Sequence, residues 1–357
     1  MTLNITANNA GSRHAITAWR LRRRRRLFII AGLATVALVS FFVSLMLGPL
    51  NLTPTEVFHA LFSGKAPAEH QTVVIDLRLP SALLAFLVGA TLSIAGLEMQ
   101  TILDNPLAEP FTLGVSAAAA FGAALAIVGN LAFAGSWTIT ISAGVMALLA
   151  SCIIAGVSAT RGGSAETMVL LGIALVFGFQ ALLALMQYRA STESLSQIVF
   201  WTLGSLTRAT WTAVVIMTIL LILALPVFHF LGWSLTALRL GESQAQAFGV
   251  KVGKLRVGVL MLSSILAAAA VSFVGIIGFI GLVGPHVARI LVGDDQRFVL
   301  PASALSGAAL LSSAHALSQI LVPGVSLPVG IVTALVGVPV FLTIILGKKR
   351  TSFGGIR

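Results

Sequence analysis

Apolar residues in this chain fall neither into one-sided helical stripes nor into strict alternation; they form long runs broken by short polar, glycine-rich or proline-containing segments. A backbone crosses hydrocarbon only when its own N–H and C=O groups are paired internally, which for a helix takes about 20 predominantly apolar residues. Ten stretches approach or reach that length, at roughly 27–47, 79–102, 111–134, 138–160, 166–188, 211–231, 257–274, 276–292, 300–320 and 329–347. The pattern predicts an all-α polytopic membrane protein with about ten transmembrane helices. Spans seven and eight are the pair least clearly divided, because Val271 to Val283 runs apolar and glycine-rich without a polar loop.

Composition narrows the class. Of 357 residues, 57% are apolar and 9% charged, and the mean hydropathy is +1.02, whereas soluble domains carry about a quarter charged residues. An ordinary soluble enzyme is excluded. The single cysteine, Cys152, lies inside an apolar run, which leaves no intrachain disulfide and no cysteine-rich metal framework.

The net charge of +11 comes from 22 Lys and Arg against 11 Asp and Glu. A nucleic-acid partner needs those cations clustered on a folded surface, but here they stand in short blocks between apolar runs. With a cytoplasmic N-terminus, ten spans return the C-terminus to the same side. The inner segments then hold Arg13, Arg20, Arg22 to Arg26, Arg161, Arg239, Lys251, Lys254, Arg256, Arg289, Arg297, Lys348, Lys349, Arg350 and Arg357, and the outer segments only Lys65, Arg78, Arg189 and Arg208. This is the bias that sets membrane topology, so both termini are expected in the cytoplasm. The arginine run before the first span imitates a signal-peptide start, yet the apolar run is too long for one and ends in Gly48-Pro49 without a small-residue cleavage site. The expected organisation is a basic segment over 1–26, a transmembrane domain over 27–347 with an inner connecting segment at 234–256, and a basic tail over 348–357.

Chemistry inside the spans is sparse. Only Glu98 among the acids falls clearly within a span, about one turn from its inner end. Its expected role is that of a carboxylate reaching interfacial water, which leaves little support for a proton-driven carrier. His286, Arg289 and His315 are the polar candidates of the C-terminal spans, and no two histidines stand at the i, i+4 spacing of a helix-borne metal site. No catalytic constellation is visible, and no metal site or cofactor is expected on this chain. Gly249-Val-Lys-Val-Gly253-Lys254-Leu255 falls one residue short of a phosphate-binding loop and puts leucine where magnesium needs a hydroxyl. Nucleotide-driven work therefore requires another chain. Small residues such as Gly89, Ser93, Gly96, Ala117 to Ala120, Gly275, Gly278 and Gly281 suit close helix packing in lipid, and equally suit helices that slide or tilt.

Three connecting segments carry more than a loop requires. Arg78-Leu79-Pro80 opens span two, and Asn105-Pro106-Leu107-Ala108-Glu109-Pro110 follows its inner end; the two prolines and the residue before Pro106 deny that stretch a continuous helix. Gly241 to Val250 is the long polar segment on the inner side. Its glycines bracket about two helical turns, with Glu242 or Ser243 near the start, where an acid suits the helix dipole. Ala245, Phe248 and Val250 form an apolar face with no span in sequence to pack on. A helix lying on the bilayer should be rich in Lys and Arg, and this core has none, so docking to a soluble partner is the preferred reading. The third segment, Val271 to Arg289, continues to Asp294-Asp295 and breaks two apolar runs with glycine and proline.

Together these residues resemble the FecCD family, permease subunits of ATP-driven importers for ferric siderophores, haem and cobalamin. R-L-P with G-A-x-L-x-x-x-G, N-P-L-A-x-P-x-x-L-G, G-E-S-x-A-x-x-x-G-V, V-S-F-V-G-x-I-G-F-I-G-L-V-x-P-H-x-A-R and the stretch Leu327 to Pro339 occur in family order between Val73 and Leu346. The resemblance implies a multi-pass protein of a bacterial or archaeal cell inner membrane that moves an iron(III) chelate, or alternatively haem or cobalamin, into the cytoplasm. It implies as partners a second permease subunit, identical or paralogous, two cytoplasmic ATPases that hold the ATP and magnesium, and an outer substrate-binding protein. Gly241, Glu242, Ser243, Ala245, Phe248, Gly249 and Val250 then correspond to an ATPase-coupling helix. Asn105, Pro106 and Leu107 correspond to an inner gate, with Ala165 and Glu166 as its second element. Arg78 corresponds to an outer arginine that pairs with a carboxylate of the binding protein. Ser81 stands where members often have a second arginine, His315 and Gln319 where they commonly have an acid and an arginine, and Leu327 where glutamate is usual. The rival class is a stand-alone secondary carrier, which needs ion-coordinating groups at interrupted helices.

Overall fold

The computed structural model describes residues 6–50, 52–63, 66–160, 164–322 and 324–347, without the side chains of 6–18, 63 and 344–347. The 348–357 tail and the side chains of Arg13, Lys65 and Arg161 lie outside the described residues. Helix α1 is Thr6–Met46, followed by the short α2 (Pro54–Phe58) and α3 (Ala68–Gln71). The central stretch contains α4 (Leu79–Ile102), α5 (Val115–Val128), α6 (Thr138–Thr160), α7 (Ala165–Arg189) and α8 (Thr192–Thr202). The rest is α9 (Trp211–Leu238), α10 (Glu242–Ala247), α11 (Val252–Val274), α12 (Ile280–Val292), α13 (Gln296–Ile320) and α14 (Val329–Gly347). Each of the ten apolar stretches read from the sequence holds one helix, and the fold is all-helical among the described residues.

Among the described residues seven helical stretches, including Trp19–Met46, Ala68–Ile102 and Trp211–Leu238, are long and apolar enough to cross a membrane. Three are shorter: Val115–Val128, Ile280–Val292 and Val329–Thr343. At 1.5 Å per residue α5 and α12 reach only about 20 Å against a hydrocarbon thickness of about 30 Å. Non-helical backbone must complete these two passages, which lipid tolerates only where protein covers it.

The undivided run Val271 to Val283 is broken at Gly275 (φ +75°), with non-helical backbone up to Phe279, itself left-handed at φ +69°. The break is covered: the Ser205 amide donates to the Val274 carbonyl at 2.7 Å, and a Cβ on Gly275 would strike the Trp201 carbonyl. That cover comes from the end of α8, a helix hidden in a polar stretch and started by Ser191, whose hydroxyl accepts from the Ser194 amide at 3.2 Å. Helix α9 also runs on to Leu238, beyond the expected end near 231.

Helix α4 sits at the centre. It packs against α1, α9, α11, α12 and α13, and nearly every residue from Val88 to Ile102 is buried, as suits a helix that is apolar all round. Two close approaches hold it. A Cβ at Gly89 would collide with the Gly307 carbonyl of α13, and one at Gly96 with the Gly281 carbonyl of α12. Between them Ser93 Oγ donates to the Ser303 carbonyl at 2.7 Å and Ser303 Oγ returns a bond to the Ser93 carbonyl at 3.2 Å. The small residues thus act as packing surfaces, because in lipid van der Waals contact and interhelical hydrogen bonds replace the hydrophobic effect.

Gly96→Val should therefore force α4 and α12 apart, at a cost of about 1–3 kcal/mol or more as an overpacking change, and lower the melting temperature of the detergent-purified protein. Gly156→Val, at an exposed glycine of α6 with nothing within 4 Å of its added Cβ, should leave the melt unchanged. Equal melts for the two variants would contradict the packing assignment.

Candidate coupling and gating site

One end of the bundle gathers the segments that the charge count placed on a common side. Arg26 of α1 pairs with Asp295 at 3.3 Å, Arg239 with Asp104 at 3.4 Å and with Asp294 at 3.0 Å, and Arg256 with Glu242 at 2.9 Å. Arg289 of α12 adds an Nε contact to Asp294 at 3.4 Å. Asp295 is the N-cap of α13, and the Arg297 side chain that hydrogen-bonds to it holds its carboxyl below the ordinary range.

Helix α10 is set out from this end by two backbone reversals. Gly241 at φ +115° releases the chain from α9, and Gly249 at φ +83° turns it into α11; a side chain would be strained at both. The Val250 amide closes the end on the Ala245 carbonyl at 3.0 Å. The expectation that the whole apolar face lacks a packing partner is corrected here. Ala245 is fully buried in the core shared with α9 and α11, and Val250 is half-buried against it. Phe248 alone stays out, 57% exposed, its ring edge-on to Trp233 of α9 at 6.0 Å. Gly241, Glu242, Ser243 and Gly249 are exposed beside it.

The loop after α4 is ordered by local chemistry. Asp104 adopts φ +45°, the Asn105 amide returns to the Gln100 carbonyl at 3.2 Å, and Asn105 Oδ1 accepts from the Leu107 amide at 2.9 Å. This Asx turn leaves Pro106 and Leu107 exposed and Asn105 half-buried. Glu109 is half-buried beside Gly281. The loop then meets α7 at Gly172 and Leu175, about two turns in from Ala165 and Glu166, which are half-buried and exposed behind the Ser164 N-cap.

One expectation about a charged group is overturned. Glu98 does not reach interfacial water: it is 0% exposed, accepts a hydrogen bond from Gln296 Nε2, and lies within electrostatic range of Arg289. The cause is the burial of α4 on every side at this level. Arg289 also donates to Gln100 Oε1 and, at 3.4 Å, to the Leu97 carbonyl, while Gln100 Nε2 donates to the Gly281 carbonyl at 3.1 Å. At the opposite end Arg78 is not presented outward. It is 5% exposed, with its guanidinium donating to the Met46 carbonyl at 2.9 Å and to that of Leu50. The Met46 carbonyl, in the last turn of α1 where intrahelical donors run out, helps draw the cation inward. The departures from the family pattern are likewise used internally: His315 Nδ1 and Ser44 Oγ lie 2.6 Å apart, and Gln319 Nε2 donates to the Ser44 carbonyl at 3.3 Å, tying α13 to α1.

Spacing alone did not single out Asp104, Arg239, Arg256 or Asp294 as a group: the two arginines entered the topology count, and Asp294 only closed the third segment. Their pairing joins residues far apart in the chain, so no local signal marks it. The pairs are unequal. Arg239 reaches carboxylates that are 83% and 54% exposed, and such screened pairs contribute about 0–1 kcal/mol; Arg256 is 6% exposed in its side chain. Among the described residues no group of three or more His, Cys, Asp or Glu could hold a metal ion.

The sequence pattern of the FecCD transport family matches residues 36–347. The chain is 35% identical over 312 residues to the vitamin B12 import system permease protein BtuC of Vibrio vulnificus, which covers 87% of this chain and 93% of that one. It is 33% identical over 327 residues to the molybdate import system permease protein MolB of Haemophilus influenzae, with 90% and 96% covered. Among solved structures, one described as an inward-facing conformation of a metal-chelate type ABC transporter superposes with a TM-score of 0.80 at 31% identity, covering 89% of this chain and 99% of that one. With a matching family pattern over most of its length and a shared helical architecture, this chain belongs to the FecCD transport family as a multi-pass ABC importer permease.

Proposed function

We propose that the chain carries an iron(III) chelate across the cell inner membrane, receiving it from an outer binding protein and releasing it to the cytoplasm under power from a separate ATPase. The observation that carries this reading is α10, a short helix held out by two left-handed glycines with Phe248 exposed at its end. An apolar ring presented among polar residues at the basic end of the bundle suits insertion into a cleft of a soluble partner. ATP and magnesium belong to that partner in this scheme, since the chain has no phosphate-binding loop of its own.

The central path is proposed to run between this chain and a second permease subunit, with Asn105, Pro106 and Leu107 lining its inner mouth and Ala165 and Glu166 moving with them. With Arg78 folded inward, docking of the binding protein rests on shape and on exposed polar groups, or on charges of a paralogous second subunit. The metal-chelate reading is favoured by the solved neighbour, whereas the relatives named for vitamin B12 and molybdate supply the alternatives.

Phe248→Asp should reduce uptake at least about tenfold, the loss expected when an anchor of about 1.4 kcal/mol or more is removed. The variant should also fail to co-purify with the ATPase while still inserting in the membrane; full transport by it overturns the coupling assignment. In vesicles that contain the whole importer, a labelled ferric chelate should accumulate with ATP and not with an ion gradient alone. Accumulation of a corrinoid or of molybdate in its place overturns the substrate, and gradient-driven accumulation without ATPase overturns the class.

A further inference from the structure

Arg256, on the first turns of α11, is a cation almost sealed from solvent, at 5% exposure. Its planar fork reaches two separate elements: Nη2 donates to Glu242 Oε2 at 2.9 Å and Nε donates to the Ile102 carbonyl at 2.9 Å. Glu242 is the first residue of α10 and Ile102 the last of α4. The carbonyls of a helix's last turn have no partner within the helix, so the guanidinium closes one of them at the end where a positive charge suits the dipole. Burying a guanidinium is costly unless both sides of its fork are engaged, and charge-assisted bonds of this geometry are directional. One guanidinium thus stands between Glu242 and the end of α4.

From Ile102 the chain passes directly into the Asp104–Asn105 turn of the proposed gate. We infer that Arg256 is the positioning residue that transmits movement of α10 to the gate loop, linking Glu242 on one side to the end of α4 on the other. The inference rests on the reading of α10 as the ATPase-docking helix. A second bridge, Arg239 to Asp104 and Asp294, runs in parallel, but its carboxylates are mostly exposed and salt screens them. The Arg256 link differs in having a half-exposed end at Glu242, free to shift with a docked partner, and a buried end on backbone.

The test uses the complete importer in vesicles, reading uptake and ATP hydrolysis together. Arg256→Gln should retain co-purification with the ATPase and its hydrolysis yet lower uptake per ATP by about fivefold or more, the range of a working coupling between sites. Arg256→Lys should fall between the two, because an ammonium is a point donor without the planar fork. A parallel decline of uptake and hydrolysis, with their ratio unchanged, overturns the inference. The permease alone supplies a second reading by amide hydrogen exchange at Asn105, Leu107 and Ala108. Glu242→Ala, remote in sequence from the loop, should accelerate exchange there as Arg256→Gln does, and the double variant no further. Unchanged exchange in Glu242→Ala, or additive effects, overturns the link. If the wild-type chain binds no ATPase, the proposed function fails, while the exchange experiment still decides whether Arg256 joins α10 to the loop.

Discussion

Hydrocarbon provides neither water to pair a loose backbone nor a hydrophobic effect to press one apolar helix on another. Cohesion in this bundle consequently depends on how closely backbones can approach, and the tightest approach, at Gly96, lies on α4. Gly89 and Gly96 let the carbonyls of Gly307 and Gly281 in to where a side chain would stand, and Ser93 and Ser303 exchange hydrogen bonds between them. With α4 enclosed by α1, α9, α11, α12 and α13, whatever is attached to its two ends is fixed relative to five neighbours at once. At one end hang Arg78 and its clamp on the end of α1, at the other the proposed gate loop.

The same enclosure explains why polar groups at the basic end are buried. Glu98, Gln100, Arg289 and Gln296 join α4, α12 and α13 through hydrogen bonds that cross between helices. Such groups are costly when left unpaired in a low-dielectric setting and directional when paired. They define the relative heights of three helices in a way that apolar packing, being tolerant of sliding, does not. The charged belt outside them, with Asp294 shared between Arg239 and Arg289, is softer because water reaches it.

Short helices and their non-helical flanks form the complementary theme. Helices α5 and α12 leave part of the passage to non-helical backbone, at 103–114 and 275–279. Each such stretch is paired or covered by a neighbour: the first by its own Asx turn and by α7, the second by the end of α8 and the start of α14. These are the places where a change in packing can alter backbone shape without breaking a long helix, and the one on the basic side adjoins α10.

Several features were legible from residue order because hydrophobic length and charge asymmetry are local properties. The existence of all ten apolar helices, the grouping of Arg26, Arg239, Arg256 and Arg289 toward one end, the glycine brackets at Gly241 and Gly249, and the family motifs belong to this class. Others depended on which helix lies beside which. Glu98 resembled a snorkelling carboxylate until α12 and α13 closed over it, the inward hydrogen bonds of Arg78 required the carbonyls near the end of α1, and α8 was hidden because a polar sequence became helical only as cover for the Gly275 break. Arg256 is the clearest instance: its number in the chain says that it is cationic and near the membrane, but its role follows from Glu242 and Ile102 standing on either side of one guanidinium. Transfer energies of single segments are written along the chain, whereas hydrogen-bond partners more than a hundred residues apart exist only once the helices have packed.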